Sequence, residues 1–181
     1  IANAHLKALA ALEGARLVHA MDVVADSAKS AAETYGAARW STSYDDVLAD
    51  PEVHAIVQCL PHDLHKDFTI RAAQAGKHSL VEKPMALNET EAREMVAAAD
   101  ANGVQLSIGH STRYMPSFQR AKGLLEEGRI GRVTNVIHQR IFWIEKVSTA
   151  WRLDQASCGG LYLPLFGSHD IDAMLWLLED S

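Results

Sequence analysis

Residues 54–84 read HAIVQCLPHDLHKDFTIRAAQAGKHSLVEKP, and the type of fold can be inferred from them. Its first part, residues 54–60, is a largely apolar run that breaks at a proline, which predicts a buried strand. Residues 65–75 have the spacing of a helix that ends at a glycine, and residues 78–82 repeat the strand pattern. Strand, helix and strand in this order predict a βαβ unit with parallel strands.

The same alternation continues on both sides of this unit. Further helices are predicted at residues 1–13, 27–35, 44–49 and 88–102, and further strands at residues 15–22 and 104–108. Asn88 and Glu91 have the spacing of an N-terminal helix cap. Apolar strands separated by helices indicate a parallel sheet covered on both faces, which is a doubly wound α/β domain of the Rossmann type.

The pattern changes after residue 110. A helix is predicted at residues 116–127, a long and partly alternating strand at residues 132–145, and a last helix near residues 169–178. One strand cannot form a sheet, so we expect the start of an α+β domain with a mostly antiparallel open sheet. We therefore predict a Rossmann domain at residues 1–110 and the beginning of a substrate domain at residues 111–181, with the chain cut at both ends.

The composition excludes several classes of protein. The chain has 181 residues, of which 48% are hydrophobic and 22% charged, as in a folded globular protein. Its net charge of −6, without a block of Lys and Arg, argues against nucleic acid or an anionic membrane as partner. No apolar run approaches the roughly 18 residues that cross a bilayer. Cys59 and Cys158 are far apart and indicate thiols in a reducing, cytoplasmic compartment, although a signal peptide could precede Ile1.

Asp22 closes the strand predicted at residues 15–22. In a dinucleotide-binding βαβ unit, such a carboxylate accepts hydrogen bonds from the adenine ribose, about 20 residues after a glycine-rich turn. That distance places the turn at or before Ile1, so we expect the turn and the first strand to precede this chain. The alternative is that Asp22 only ends a strand, and the residue alone does not decide between the two.

Polar residues follow both strands of the 54–84 unit, as Cys59-Leu60-Pro61-His62 and Glu82-Lys83-Pro84. Ligands bind outside the carboxyl ends of parallel strands. A lysine at such a point can bind a substrate hydroxyl, exchange a proton or stabilise an alkoxide. Taken alone, Lys83-Pro84 is more simply interpreted as a turn after a strand.

Further motifs follow Lys83 in a fixed order. They are Gly109-His110-Ser111-Thr112-Arg113-Tyr114-Met115-Pro116, Trp151-Arg152, Gly159-Gly160 and Gly167-Ser168-His169-Asp170-Ile171-Asp172. With Pro61-His62 and Glu82-Lys83-Pro84 before them, they resemble the glucose–fructose oxidoreductase, inositol dehydrogenase and MocA (Gfo/Idh/MocA) family. The resemblance covers essentially the whole chain, and each motif is weak alone but strong in this register.

The resemblance implies a cofactor site. Asp22 would bind the adenine ribose and favour NAD, although some relatives use NADP. Leu60, Pro61 and His65 would lie along the ribose and nicotinamide side of the cofactor. Glu82 and Lys83 would contact the nicotinamide ribose and the substrate hydroxyl.

The resemblance also implies a substrate site and a proton carrier. Arg113, Trp151 and Arg152 would line the cleft, with Arg152 near the cofactor or a substrate oxygen. His169 would be the acid/base that moves the hydroxyl proton, with Lys83 as the second catalytic group. Lys83, Arg113 and His169 would therefore contact the substrate.

One position departs from the family pattern. Dehydrogenases of this family commonly carry an Asp four residues before the catalytic His, and here that position is Leu165. An apolar side chain cannot hold a His tautomer or stabilise an imidazolium. We expect proton transfer to fall more heavily on Lys83, or the substrate to differ from a simple polyol. Asp172 could replace the missing Asp, but it is more simply a structural residue.

The resulting hypothesis is an NAD(P)-dependent oxidoreductase that acts on a secondary alcohol of a sugar, cyclitol or sugar acid. Two alternatives stay open: an NAD-dependent glycosidase of the same family, and an NAD(H)-binding regulator with little catalysis, which Leu165 favours. The intact protein is expected to be a homo-oligomer. No metal is expected, because His62 and His65 have no third ligand at suitable spacing. The other histidines, His19, His54, His78 and His138, are predicted to face solvent or a strand edge.

Overall fold

The computed structural model describes residues 1–141, 143–147 and 149–178. These residues form two compact units. The first consists of Ile1–Cys59, Lys66–Val81 and Arg93–Ser107, and the second of Leu60–His65, Glu82–Ala92 and Ile108–Ser181. The segments that begin at Leu60 and at Glu82 thus belong to the second unit, while the residues directly before them belong to the first.

The helices and strands follow the predicted alternation. The helices are α1 (Ala2–Ala11), α2 (Ala25–Tyr35), α3 (Tyr44–Ala49), α4 (His65–Gln74), α5 (Glu89–Asn102), α6 (Pro116–Glu126), α7 (Gln155–Cys158) and α8 (Ser168–Leu178). The strands are β1 (His19–Met21), β2 (Arg39–Ser41), β3 (Ala55–Gln58), β4 (His78–Val81) and β5 (Leu106–Ile108). In the part of the chain that the structure describes, no helix has the length and apolar character needed to span a membrane.

The predicted helix signals have their expected geometry. At the start of α5, the Glu91 amide donates to Asn88 Oδ1 at 3.0 Å, and Asn88 Nδ2 donates to Glu91 Oε1 at 2.9 Å. This exchange satisfies a backbone donor that the first turn of a helix leaves free. Gly36 ends α2 with φ of 75°, a conformation in which a side chain is disfavoured.

The strands of the first unit are arranged in two sheets. β1 pairs with β2 in parallel, with His19 opposite Arg39, and β3 pairs with β4 in parallel, with Ala55 opposite His78. β5 lies beside β4. In the commonest doubly wound order, 3-2-1-4-5-6, strands 3-2 and 4-5-6 form groups on either side of strand 1. The pairs β1-β2 and β3-β4-β5 match these two groups, and the Rossmann-type prediction is confirmed at this level.

Strand β2 and the surroundings of His19 were not predicted. Asp50 is buried and accepts hydrogen bonds from Arg39 Nε at 2.7 Å and from His19 Nδ1 at 3.2 Å. His19 Nε2 lies 3.1 Å from Ser41 Oγ, and the Ser41 hydroxyl donates to the Ser43 carbonyl at 3.0 Å. This network joins β1 to β2, and the His19 side chain is only 6% exposed, so the prediction that it faces solvent was wrong.

The core of the first unit lies around β1 and α3. Its buried members are Val18, Tyr44, Val47 and Val53, and Met21, Leu48, Ile56 and Phe68 pack against them. The Tyr44 hydroxyl donates to the Phe68 carbonyl at 3.0 Å, which satisfies a polar group that burial would otherwise penalise. Met95 on α5 is among the largest side chains that are fully buried.

The second unit contains helices and irregular segments. The strand predicted at residues 132–145 is not observed among its described residues, and Phe142 lies outside them. From residue 109 to residue 178 the described residues form no strand that could serve as a partner. A strand gains its hydrogen bonds only from a neighbour, so an alternating sequence alone does not produce one.

Substitution of Met95 tests how far the first unit depends on its core. Met95 is 0% exposed, and we expect Met95→Ala to lower the free energy of unfolding by about 2–5 kcal/mol through lost burial and the cavity it leaves. The neighbouring Val96 is 46% exposed on the same helix, and Val96→Ala is expected to change that free energy by about 0.5 kcal/mol or less. Urea unfolding of both variants measures the difference. Equal effects would show that the side chain of Met95 is not part of the core.

Candidate active site

Lys83 occupies the centre of the polar residues in the second unit. It comes two residues after the end of β4, and its ammonium donates to the backbone carbonyl of Leu165. Leu165 lies in a short π-helical turn, Leu163–Gly167, that leads into α8. Such wide turns break the regular hydrogen bonds of an α-helix and are frequent at functional sites. The lysine is thus held by main chain, and among the described residues no carboxylate forms an ion pair with it.

Burial and nearby charges act in opposite directions on the pKa of the Lys83 ammonium, and the net effect is a lowered pKa. Burial lowers the pKa of the Lys83 ammonium; Glu82 opposes this, and the positive charges of Arg152 and Arg140 add to the lowering. A lysine whose pKa is lowered exchanges protons more readily near neutral pH. Lys83 therefore has the chemistry of a proton-exchanging or alkoxide-binding group.

Two imidazoles lie near Lys83. The rings of His110 and His169 meet edge to face with their centroids 6.0 Å apart. The Nδ1 atoms of both rings are buried, and neither has a hydrogen-bond partner within the described part of the chain. Burial lowers the pKa of both imidazoles, and the charge of Lys83 lowers the pKa of each further. Both rings are therefore available as proton acceptors at neutral pH.

The environment of His169 agrees with the departure seen in the sequence. Leu165 is buried and gives His169 no polar contact, so Nδ1 of the ring stays without a partner among the described residues. Asp172 does not replace the missing carboxylate. It accepts hydrogen bonds from Arg113 Nε at 2.8 Å and Arg113 Nη2 at 2.5 Å, and it lies 3.8 Å from His110 Nδ1. Asp172 is thus the structural residue that the sequence favoured, and its imidazole neighbour is His110.

Two further histidines organise the segments around Lys83. His65 is fully buried, with Nδ1 2.8 Å from the Pro84 carbonyl and Nε2 3.1 Å from the Leu60 carbonyl. It therefore ties the segment after β3 to the turn that carries Lys83. His62 donates from Nδ1 to the Cys158 carbonyl at 2.8 Å, and its ring packs against Trp151 with the centroids 4.8 Å apart.

These contacts bear on the question of a metal. The Nδ1 atoms of His62 and His65 both face backbone carbonyls, so neither is turned toward a shared ion. Across the residues that the structure describes, no group of three or more His, Cys, Asp or Glu side chains is placed to hold one.

Trp151 and Arg152 form a short helical turn, Ala150–Leu153, in the same unit. The Arg152 guanidinium lies over the Trp151 ring, 5.3 Å from its centroid, and the buried Nε has no hydrogen-bond partner among the described residues. Its charge is one of those that lower the pKa of Lys83 and of His62. Arg152 therefore presents a positive charge and a free donor to this site.

The predicted site residues are divided between the two units. The second unit contains Leu60, Pro61, His65, Glu82, Lys83, Arg113, Trp151, Arg152 and His169. Asp22 belongs to the first unit, where it is exposed after β1 and accepts the Val24 amide at 2.9 Å. Arg113 was expected to bind substrate, and the structure places its guanidinium against Asp172 instead. Its role as a substrate ligand stays a prediction.

Sequence reasoning missed the places of His62 and His110. Both come within four residues after the end of a strand. The same rule, that ligands bind outside the carboxyl ends of parallel strands, singled out Lys83. Applied evenly, that rule would have included His110, which comes two residues after β5. No sequence signal could have shown that His62 meets Cys158, because 96 positions separate the two residues.

A parallel α/β domain that binds ligands outside the carboxyl ends of its strands is a fold in which oxidoreductases bind nicotinamide cofactors. Comparison with known families agrees with this. Residues 1–110 match the oxidoreductase family with an NAD-binding Rossmann fold, and residues 118–181 match the GFO/IDH/MocA C-terminal domain. The chain belongs to the Gfo/Idh/MocA family of oxidoreductases.

Individual relatives are similar over most of the chain. It is 33% identical to a 1,5-anhydro-D-fructose reductase of Ensifer adhaerens, over 93% of this chain and 50% of that protein. The structure of an aldose-aldose oxidoreductase from Caulobacter crescentus, complexed with glycerol, is 31% identical with a TM-score of 0.88, over 96% of this chain and 53% of that one. The WlbA dehydrogenase from Bordetella pertussis, in complex with NADH and UDP-GlcNAcA, is 32% identical with a TM-score of 0.87, over 98% and 52%. The chain spans about half the length of these relatives.

The matches confirm the resemblance inferred from the sequence, the oxidoreductase class and NAD as the cofactor of the family. The residues present fit such a cofactor. In the first unit, the exposed carboxylate of Asp22 is an acceptor for ribose hydroxyls. In the second unit, taken by itself, the Lys83 ammonium and the buried Nε of Arg152, which has no partner among the described residues, suit a polar, anionic ligand.

The buried imidazole of His62 makes stability depend on pH. Burial lowers its pKa to about 4, against about 6.5 in an unfolded chain. Between these values the unfolded chain binds the proton and the folded chain does not, so the free energy of unfolding falls as the pH drops through this range. We expect His62→Gln, which keeps an N–H donor but cannot titrate, to lose less stability on acidification than the wild type.

Urea unfolding at a series of pH values between about 7 and about 4 measures this slope for both proteins. His54→Gln, at an exposed position in the first unit, is the matched control and should keep the wild-type slope. An unchanged slope in His62→Gln would mean that His62 is protonated in the folded protein.

Proposed function

We propose that the protein is an NAD-dependent oxidoreductase that transfers a hydride between a nicotinamide cofactor and a secondary alcohol of a sugar, cyclitol or sugar acid. One observation carries this proposal. Lys83 is half-buried, donates to the Leu165 carbonyl, and lies among imidazoles whose pKa values are lowered. These are the groups that oxidation of an alcohol requires, namely a cation for the developing alkoxide and a neutral base for its proton.

The names of the relatives support the class of substrate. The reductase of Ensifer adhaerens is named for an anhydrosugar, and the Caulobacter crescentus protein for aldoses. The Bordetella pertussis dehydrogenase binds UDP-GlcNAcA beside NADH. The positive charges of Lys83 and Arg152 agree with a polyhydroxylated or anionic substrate. The particular sugar is not part of the proposal.

The residues of this chain divide the reaction between them. When bound, the oxidised nicotinamide supplies the hydride acceptor. Lys83 binds the substrate hydroxyl and stabilises negative charge on its oxygen, and the Leu165 carbonyl restrains the ammonium for that purpose. His169 takes the hydroxyl proton, for which its neutral form is required. In the reverse direction the same groups return the proton to the carbonyl oxygen.

The remaining predictions for the whole protein are part of this proposal. The half-length match to its relatives supports a substrate domain larger than residues 111–181, with the mostly antiparallel sheet expected from the sequence. We propose that this sheet also joins subunits of a homo-oligomer. Cys59 and Cys158 form no disulfide among the described residues, which favours a reducing, cytoplasmic location.

A second candidate function is an NAD(H)-binding regulator with little catalysis. The observation that favours it is His169, whose buried Nδ1 lacks the partner that would stabilise an imidazolium. Tight binding of NADH, measured by protein fluorescence, without turnover of any member of a panel of polyols, aldoses and sugar acids would support this function. Turnover of any of these compounds would exclude it.

Removal of the lysine tests the catalytic assignment. In the full-length protein, we expect Lys83→Ala to lower kcat by about 100-fold or more, because general acid–base and charge-stabilising groups contribute on that scale. Cofactor affinity should change little, and Lys29→Ala at an exposed position of α2 should keep full activity. Steady-state kinetics and NADH titration measure the two quantities. Unchanged turnover would exclude Lys83 from the chemistry.

Replacement of Asp22 tests the cofactor assignment separately. A carboxylate that accepts bonds from the ribose hydroxyls repels the 2′-phosphate of NADP. We therefore expect Asp22→Ala to raise the KM for NAD by about tenfold, which corresponds to about 1.4 kcal/mol. The ratio of kcat/KM for NAD to kcat/KM for NADP should decrease as well. Asp26→Ala, which lies on the same exposed surface after β1, is the control. If the two cofactors keep their wild-type ratio of kcat/KM, Asp22 does not read the ribose.

A further inference from the structure

His110 and His169 come from different elements and meet beside Lys83. His110 follows β5, and His169 is the second residue of α8. Their rings lie edge to face with centroids 6.0 Å apart. In both rings Nδ1 is buried and has no hydrogen-bond partner in the described part of the chain. Buried polar atoms with a purely structural role are normally hydrogen-bonded. The two Nδ1 atoms without partners among the described residues therefore indicate a role beyond packing.

The charges around the pair are unequal. Asp172, from α8, lies 3.8 Å from His110 Nδ1 and favours protonation of that ring, while Arg113 opposes it. Lys83 disfavours protonation of both rings and Glu82 favours it for both. Arg140 adds its charge against protonation of His169. His110 has a carboxylate neighbour, and His169 has no such neighbour within 4 Å among the described residues.

We propose that His110 and His169 act as a pair that binds one proton between them, and that His110 thereby keeps His169 available as a base. The proposal rests on the function proposed above for its catalytic meaning, but not for the sharing itself. His110 is a positioning residue in this scheme, because it acts on the substrate only through His169. The sequence motif around Gly109 had given it no role.

Proton sharing has a definite physical signature. When one ring is charged, the other is repelled, so the pair takes up its two protons in two separated steps. Because the carboxylate of Asp172 lies beside His110, the first proton resides on His110 in half of the molecules or more, and His169 is neutral in those molecules, whereas a single imidazole would go on to full protonation. One pH unit below the midpoint of a single imidazole, the pair would thus keep about sixfold more neutral His169.

The titration of His169 in the full-length protein tests this without any assay of activity. We expect the ring signals of His169, followed by NMR of ¹⁵N-histidine-labelled protein, to titrate in two steps in the wild type. In His110→Gln they should titrate in one step, at a higher pH than the second step of the wild type, because the ring that repels the proton is gone. The glutamine keeps a polar side chain at this position. His54→Gln, an exposed position, should keep both steps.

The pH profile of kcat/KM for alcohol oxidation provides the catalytic readout. We expect activity to fall at higher pH in His110→Gln than in the wild type, with about sixfold less activity one pH unit below the variant's midpoint. His110→Lys, which fixes a charge beside His169, should move the fall to lower pH. Such opposite shifts would not follow from a loss of packing.

The outcomes are separable from those of the proposed function. A single-step titration of His169 in the wild type, unchanged in His110→Gln, overturns the proton-sharing proposal even if the enzyme is active. Two-step titration in a protein that oxidises no sugar or polyol supports the sharing and rejects the proposed function. Loss of folding in His110→Gln is detected by the other histidine signals, and His110→Asn then provides the same comparison.

Discussion

The bond from the Lys83 ammonium to the Leu165 carbonyl is the constraint on which the second unit depends. It joins the turn after β4 to the π-helical turn Leu163–Gly167, and that turn leads directly into α8, which carries His169. His65 holds the same β4 turn from its other side through the Pro84 carbonyl. A cation fixed by main chain is positioned without being neutralised, so its field acts on every titratable group nearby.

Burial and that field together lower the pKa values of the imidazoles of the site. Burial is the main cause of the lowered pKa values of His62, His110 and His169, and the charge of Lys83 lowers each of them further. A neutral ring can accept a proton, and a protonated ring cannot. Where a carboxylate is paired with a cation, as Asp172 is with Arg113, the two charges largely neutralise each other and the pair has a structural role. The arrangement therefore separates the structural charges from the reactive ones.

Much of the fold followed from the sequence because its signals are local. The run at residues 54–60, the cap at Asn88 and the glycine at position 36 each act within a few residues, and β3, α5 and α2 formed as predicted. The failures are cases in which a distant partner decides. Arg39–Ser41 forms a strand because β1 lies beside it, and the alternating residues 132–145 show no strand because none of the described residues offers a neighbour. A periodic pattern shows that a segment can form a strand, and the presence of a neighbouring strand determines whether it does.

The same distinction applies to the site. Lys83 and His169 could be named from motifs, because their places after a strand and at the start of a helix are local facts. The effect of Leu165 could be foreseen only in part. The sequence showed that His169 lacks a carboxylate at that position, whereas the use of the Leu165 carbonyl by Lys83 depends on a contact across 82 positions. At position 165 the side chain is not a carboxylate, but the backbone carbonyl is still present as an acceptor. Lys83 is therefore restrained by that carbonyl, whereas the His169 imidazole receives no hydrogen bond from the Leu165 side chain. In this chain the group that faces His169 is another imidazole, which can itself bind a proton.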